Sequence, residues 1–282
     1  MPSPNWLSNL KWRVRVSKNI REIDSRNVAP KKHPLDAPLA ISLTSFPARF
    51  DTLALTLRCL LAQTIRPDAV ILWVAESDFP ELPQDVLDLQ LSGLDIQTCE
   101  DIKSYKKLIP CLLENPDRYI VTADDDVHYE ADWLEKLVSS SMRNTGKIIS
   151  CRSHRIEYDT DGKLLPYAQW KKNIGVATAS GEIFATGVCG VLYPPHCLDP
   201  RVTDIETFMR LCPSTDDVWL YWMARLAGTE VHHLGPKRRI VEWPSSQTVS
   251  LRQKNYGSDP DNGNDRAIAA MIEHFGQPGQ QK

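Results

Sequence analysis

Short runs that are apolar at nearly every position alternate along the first half of the chain with stretches whose apolar residues recur every three or four positions. Pro38-Leu-Ala-Ile-Ser-Leu-Thr44, Ala69-Val-Ile-Leu-Trp-Val-Ala75, residues 94–98 and Tyr119-Ile-Val-Thr-Ala123 read as strands. Between them Leu53, Leu57, Leu60 and Leu61 give residues 51–63 helical spacing. Helices are also predicted at 83–91, 104–113 and 130–140. Strands buried on both faces and separated by helices imply a parallel sheet covered on both sides. The expected fold class is therefore α/β. Ligands of such sheets bind at the carboxyl ends of the strands. That edge should gather Ser45–Arg49, Glu100–Lys107 and Asp124–Asp126.

The second half follows another rhythm. Strands are predicted at 147–151, 182–193 and 231–234, a helix at 216–227 and a closing helix at 264–275, which Asn264 or Asp265 caps. Residues 22–37, polar and carrying Pro30 and Pro34, read as a linker. They divide a basic arm, 1–37, from a domain at 38–282 with halves at 38–140 and 141–282. In the arm, Lys11, Arg13, Arg15, Lys18 and Arg21 lie among Trp6, Leu7, Leu10, Trp12, Val14, Val16 and Ile20, without an acid from 6 to 20. Residues 6–21 suit peripheral contact with an anionic membrane surface. The alternatives are a solvated arm or a strand packed on the domain.

Composition narrows the class. The chain has 282 residues, 42% hydrophobic and 24% charged, ordinary values for a globular protein with a sizeable core. A net charge of −3 provides no global basic field, so no nucleic-acid partner is expected. Seven cysteines at irregular spacing, none in a Cys-x-x-Cys pair, argue against a disulfide framework or zinc site and for a reducing compartment. No apolar run approaches the ~20 residues of a bilayer span, and no signal-peptide pattern opens the chain. The expected location is cytoplasmic, with peripheral contact at the inner face of the membrane.

The densest chemistry is Asp124-Asp125-Asp126. Adjacent carboxylates repel and need a cation or open water. Mg²⁺ or Mn²⁺ accepts such oxygens and keeps positions for phosphates. Asp124 and Asp126 should project to one side of an extended segment, which suits a two-carboxylate reach, with Asp125 pointing elsewhere. A solvated turn with Asp126 as a helix cap is the plainer alternative. Asp216-Asp217 opens a predicted helix, where carboxylates gain from the helix dipole.

Taken in order, Ile41-Ser-Leu-Thr-Ser-Phe-Pro47, Leu60-Leu-Ala-Gln-Thr64, Tyr119-Ile-Val-Thr-Ala-Asp-Asp-Asp126, Thr186-Gly-Val-Cys-Gly-Val-Leu-Tyr-Pro-Pro195 and Thr215-Asp-Asp-Val-Trp219 resemble the GT-A fold glycosyltransferases. The likeness is greatest to family-2-like bacterial enzymes of surface-polysaccharide assembly, over about residues 38–235. The resemblance implies a Rossmann-like, mostly parallel sheet with an acceptor-side second half. It implies transfer of a sugar from a nucleotide-sugar donor to a glycan or lipid-linked glycan acceptor. Asp124 and Asp126 are similar to the Asp-x-Asp pair that holds Mn²⁺ or Mg²⁺ and diphosphate, with Asp125 toward the donor. Thr44, Ser45, Pro47 and Arg49 match the nucleotide-pocket loop, Asp101 the aspartate at the base, and Lys106 a basic residue near the donor phosphates. Asp216 or Asp217 matches the catalytic base of an inverting displacement; the pair here is Asp-Asp where Glu-Asp is commoner. His233, or its neighbour His232, is similar in place to a late third metal ligand, though a strand histidine is more often structural.

Other features stay open at this level. Gly187-Val-Cys-Gly190 is a close approach of backbone to ligand or a bulge. Lys237-Arg-Arg239 contacts an anion or turns in solvent. Trp170, Trp219, Trp222 and Trp243 stack on sugar or pack the core. Retaining chemistry on the same fold, and a non-catalytic nucleotide- or glycan-binding module of an assembly complex, are the alternatives in function. A nucleotidyltransferase would want glycine in Ser45-Phe-Pro-Ala-Arg49, and a phosphohydrolase an aspartate where Thr44-Ser45 stands.

Overall fold

The structure is a computed structural model that describes residues 5–26, 29–237, 240–243 and 263–278. Its strands are β1 (Lys31–Lys32), β2 (Leu39–Thr44), β3 (Ile65–Arg66), β4 (Ala69–Ala75), β5 (Leu94–Cys99), β6 (Tyr119–Ala123), β7 (Ile148–Ser150), β8 (Ser153–Arg155), β9 (Thr178–Ser180), β10 (Ile183–Ala185), β11 (Val191–Tyr193) and β12 (Val231–His233). Its helices are α1 (Asn5–Ser25), α2 (Phe50–Leu61), α3 (Gln84–Leu87), α4 (Ile109–Glu114), α5 (Trp133–Arg143), α6 (Ile205–Leu211), α7 (Asp216–Leu226) and α8 (Gly263–Phe275).

One eight-stranded sheet runs β5-β4-β2-β6-β11-β7-β12-β9. The pairings β4–β5, β2–β4, β2–β6 and β7–β12 are parallel, while β11 and β9 run against their neighbours. Six strands thus end on one edge. The fold is α/β with a mostly parallel central sheet flanked by helices. Alternating side chains of β2 supply both cores. Leu39, Ile41 and Leu43 pack with Leu53, Leu57 and Leu60 of α2, and Ala40 joins the opposite core with Tyr105 and Ile109. Each such leucine or isoleucine contributes roughly 1.5–3 kcal/mol on burial.

Several sequence expectations need correction. The predicted strand 182–193 is two strands, β10 and β11, in different sheets. Gly187 (φ 69°), Cys189 (φ 65°) and Gly190 (φ 105°) turn the chain between them. The predicted helix 104–113 is a 3-10 turn, Lys103–Lys107, followed by α4. Pro110 lacks an amide hydrogen and disfavours helical backbone before it, so the helix starts afresh there. Nor are residues 22–37 a free linker. Residues 22–25 finish α1, β1 pairs with β3, and buried His33 bonds Asp68 at 2.8 Å.

Candidate active site

Ser45, at the end of β2, donates its hydroxyl to Asp125 Oδ2 at 2.6 Å. Arg49, at the close of the Pro47–Arg49 turn, reaches the same cluster. Its Nη1 lies 2.8 Å from Asp125 Oδ1 and 2.6 Å from Asp126 Oδ2. Pro47 sits at the first position of that turn, where its fixed φ suits the geometry. Thr44 is occupied elsewhere, donating to the Trp73 carbonyl at 2.8 Å.

The aspartates do not alternate as a strand would make them. β6 ends at Ala123 and the chain bends, so Asp125 and Asp126 both turn to Arg49 while Asp124 faces the second half. Asp124 Oδ2 accepts the Cys189 amide at 2.9 Å, and the Asp124 amide donates to Tyr129 Oη at 2.7 Å. Cys189 adopts left-handed backbone, rare for a residue with a Cβ, and its carbonyl accepts Trp133 Nε1 at 2.8 Å. The Gly187–Gly190 segment therefore points an amide at a carboxylate.

From the other side comes the start of α7. Asp216 Oδ1 accepts Ser104 Oγ at 2.8 Å, and Asp216 Oδ2 lies 2.8 Å from Lys107 Nζ. A Cβ placed on Gly187 would lie 2.8 Å from Asp217 Oδ1 and 3.2 Å from Lys107 Nζ. Lys107 thus stands among Asp216, Asp217 and, within its field, Asp124. Lys107, not singled out by the sequence, is the lysine that meets these carboxylates. Lys106 pairs with Asp101, whose side chain is 60% exposed, outside the cluster.

The electrostatics are lopsided. Five carboxylates, Asp124, Asp125, Asp126, Asp216 and Asp217, share Arg49 and Lys107. Burial pushes Asp124 up to about 6, reinforced by Asp126 and Asp125 against the pull of Lys107. Burial also raises Asp125, against Arg49 and Ser45, and it raises Asp217, with Asp216 adding to the effect and Lys107 opposing it. Lys107 is raised: burial works against its charge, but Asp216 and Asp217 outweigh burial. Burial is the largest cause of the rise at Asp124, Asp125 and Asp217, and the cluster sets five carboxylates against two cations.

A hard divalent cation fits that imbalance and the all-oxygen donor set. Among the described residues no group of three or more His, Cys, Asp or Glu side chains is placed to hold a metal ion by itself. Mg²⁺-type sites need only one or two carboxylates, with water and substrate phosphates completing the shell. His233 stands apart from them. In the row Thr122–Val191–Ser150–His233 it lies three strands from β6, about 14 Å at ordinary strand spacing. Its Nε2–H donates to the Gly235 carbonyl at 2.7 Å.

Trp170, Trp219, Trp222 and Trp243 are all core residues, each 2% exposed or less, so none offers a face to a sugar. Asp265 accepts the Tyr167 amide at 2.7 Å. Lys237 is exposed, and Arg238 and Arg239 lie outside the described residues.

No protein-family model matches the chain, and no curated protein matches it. Solved structures do. The chain is similar to S. aureus TarS 1-349 solved with UDP (10% identity, TM-score 0.47) and to the same protein without it (11%, 0.45), covering 72% of this chain and 59% of that one in each case. It is also similar to mannosyltransferase PcManGT from Pyrobaculum calidifontis, in complex with GDP-Man and Mn2+, at 14% identity and TM-score 0.34, covering 51% of this chain and 44% of that one. The chain thus spans about half the length of the solved proteins it matches.

Proposed function

We propose that the chain is a metal-dependent glycosyltransferase that moves a sugar from a nucleotide-sugar to the hydroxyl of a glycan or lipid-linked glycan acceptor. One observation carries the reading: Lys107, paired with Asp216, lies in the field of both Asp217 at the start of α7 and Asp124 after β6, while Arg49 holds Asp125 and Asp126, so that five carboxylates share two cations. In this reading Asp124 and Asp126 hold Mn²⁺ or Mg²⁺ together with the donor diphosphate. The bound cation supplies charge stabilisation for the departing diphosphate. Ser45, Pro47 and Arg49 border the nucleotide side, with Thr44 behind them, and Asp125 orients Arg49. Asp101 and Lys106 form the outer wall of the same side.

Asp217 takes the proton of the acceptor hydroxyl as its oxygen attacks the anomeric carbon, an inverting displacement. Its raised proton affinity suits a base, while Asp216 is held by Ser104 and Lys107 and fixes the helix start. His233 keeps a structural bond in this reading. Residues 6–21 hold the enzyme beside a membrane-bound acceptor, at the inner face of a bacterial membrane where surface polysaccharide is built.

The test is a panel of nucleotide-sugars assayed with Mn²⁺ for transfer and for thermal stabilisation. Asp124→Ala and Asp126→Ala should lose transfer and metal-dependent nucleotide binding. Asp217→Asn should lose transfer and keep donor binding. Full turnover in either metal-side variant overturns the reading.

A further inference from the structure

Asp124 is held at two points by a closed ring of contacts. Its amide donates to Tyr129 Oη at 2.7 Å, and its Oδ2 accepts the Cys189 amide at 2.9 Å. The two arms meet behind it. The Tyr129 ring packs on Trp133 with centroids 4.4 Å apart, and Trp133 Nε1 donates to the Cys189 carbonyl at 2.8 Å. Gly190 leaves room for that indole, since a Cβ there would lie 2.5 Å from Trp133 Cζ2. Tyr129 and Trp133 are both buried, so the ring is packed as well as hydrogen-bonded.

Away from the carboxylates, the same tyrosine is tied to α1. Arg26 follows the last residue of that helix, and its side chain is nearly enclosed. Its Nη2 donates to the Tyr129 carbonyl at 2.6 Å. Glu22 grips the guanidinium through Nε and Nη2, each at 2.9 Å, and lies 3.1 Å from His128 Nε2. Nη1 reaches the carbonyls of Cys59 at 3.1 Å and Ala62 at 3.3 Å, at the end of α2. A guanidinium offers its N–H donors in one rigid plane. Here that plane joins α1, α2 and the loop after Asp126. Tyr129 therefore has its backbone on Arg26 and its hydroxyl on Asp124.

We infer that Tyr129 is a positioning residue for Asp124, and that Arg26 makes this position depend on the docking of α1, so that the N-terminal helix helps to set the affinity for the divalent cation. The inference rests on the transferase reading above, in which Asp124 holds the cation, and adds to it a path of named contacts. Groups that orient a metal-binding carboxylate matter because a ligand free to turn must be ordered when the ion binds. The tyrosine hydroxyl acts by accepting one amide hydrogen, so deleting one oxygen tests it. Arg26 stands one step further back and acts through the Tyr129 backbone.

The test follows Mn²⁺ binding to the full-length protein by loss of the free ion's electron paramagnetic resonance signal. A saturating nucleoside diphosphate is present, chosen from UDP, GDP and dTDP by its own binding. Tyr129→Phe should weaken Mn²⁺ binding about tenfold or more, and Arg26→Gln about threefold or more. Arg26→Lys, which keeps a donor for the Tyr129 carbonyl, should bind more tightly than Arg26→Gln. Because both residues act along one path, Tyr129→Phe/Arg26→Gln should lose no more than Tyr129→Phe alone. Arg58→Gln is the control: it removes the Arg58–Asp24 pair, which also ties α1 to α2 and does not include Tyr129. Its Mn²⁺ affinity should stay within about twofold of wild type, as expected for an exposed pair. Thermal unfolding shows which variants are folded; if Tyr129→Phe is not, Arg26→Gln against Arg58→Gln decides. Unchanged Mn²⁺ affinity in folded Tyr129→Phe or in Arg26→Gln overturns the inference, as do additive losses in the double variant. Equal losses in Arg26→Gln and Arg58→Gln overturn it too, because the general packing of α1 would then set the affinity. A wild-type protein that binds Mn²⁺ with none of the nucleotides fails the transferase reading itself. One that binds Mn²⁺ equally well with and without the Tyr129 hydroxyl fails only this inference.

Discussion

Lys107 Nζ lies 2.8 Å from Asp216 Oδ2, and both side chains are nearly enclosed, at 14% and 10% exposure. Removing one partner of an enclosed pair leaves the other charge without compensation, at a cost of about 3–5 kcal/mol. Lys107→Met should therefore lower the denaturant midpoint with little change of slope, and the double variant Lys107→Met/Asp216→Asn should recover part of the loss. Lys106→Met breaks a pair with the largely exposed Asp101 and should cost about 1 kcal/mol or less. Equal losses from the two lysines would contradict the placement.

The resemblance points to Lys106, and the structure seats its neighbour Lys107 against Asp216. An α-helix turns about 100° per residue and a 3-10 turn about 120°. Lys103–Lys107 is a 3-10 turn entered through Lys103 at φ 57°, so its lysines point otherwise than in the α-helix expected over 104–113. The strands β2, β4, β5 and β6 are legible because each spans five to seven residues, enough for an apolar run or an alternation to show. Three-residue strands such as β8 and β9 are too short to show alternation. α6 went unread although Asp204, its cap, accepts the Thr207 amide, because seven residues barely complete two turns. The two glycines of Gly187–Gly190 mark either a close approach or a bulge, while the Cys189 amide aimed at Asp124 has no signal in residue type.

Gly187 separates fold from site. It has φ 69°, and an added Cβ would stand 2.8 Å from Asp217 Oδ1 and 3.2 Å from Lys107 Nζ. Gly187→Ala should cost about 1–3 kcal/mol in backbone strain, and should also displace Asp217, lowering transfer at least tenfold. Gly228→Ala shares the positive φ (74°) but has open space around its Cβ, so it reports the strain alone. Transfer unchanged in Gly187→Ala would remove Asp217 from its proposed position.

His154 gives the protein an acid-side weakness. Burial, with Arg152 and Lys172 adding to it, lowers its pKa to about 3 from an ordinary 6.5. The folded ring stays neutral while the unfolded ring takes a proton below about pH 6.5, so the unfolded state binds more protons there. Stability is then full above pH 6.5 and declines as pH falls toward 3, by up to roughly 1.4 kcal/mol per pH unit from this group. His154→Gln should be less stable than wild type at pH 7.5 and show a shallower decline from 6.5 to 5. Parallel curves for the two proteins would assign the acid sensitivity to other groups.

The outer face of α1 carries the last prediction. Val16 and Ile23 are buried, and Arg26 fastens the helix end by donating to the carbonyls of Tyr129 (2.6 Å), Cys59 (3.1 Å) and Ala62 (3.3 Å). Arg13, Val14, Lys18 and Arg21 are exposed, Val14 at 63%. Among the described residues no helix is long and apolar enough to cross a membrane, so contact through α1 would lie along the surface. Each basic residue near an anionic leaflet contributes about 1 kcal/mol, screened by salt. Full-length protein should sediment with phosphatidylglycerol-containing vesicles at low ionic strength and be released by salt. Replacing Arg13, Lys18 and Arg21 together by Gln should weaken that binding at least tenfold without moving the unfolding midpoint, because these side chains lie off the buried face of the helix. Sedimentation that ignores both salt and the triple substitution would assign the contact to another surface, and its absence in the wild type would leave α1 with a packing role only.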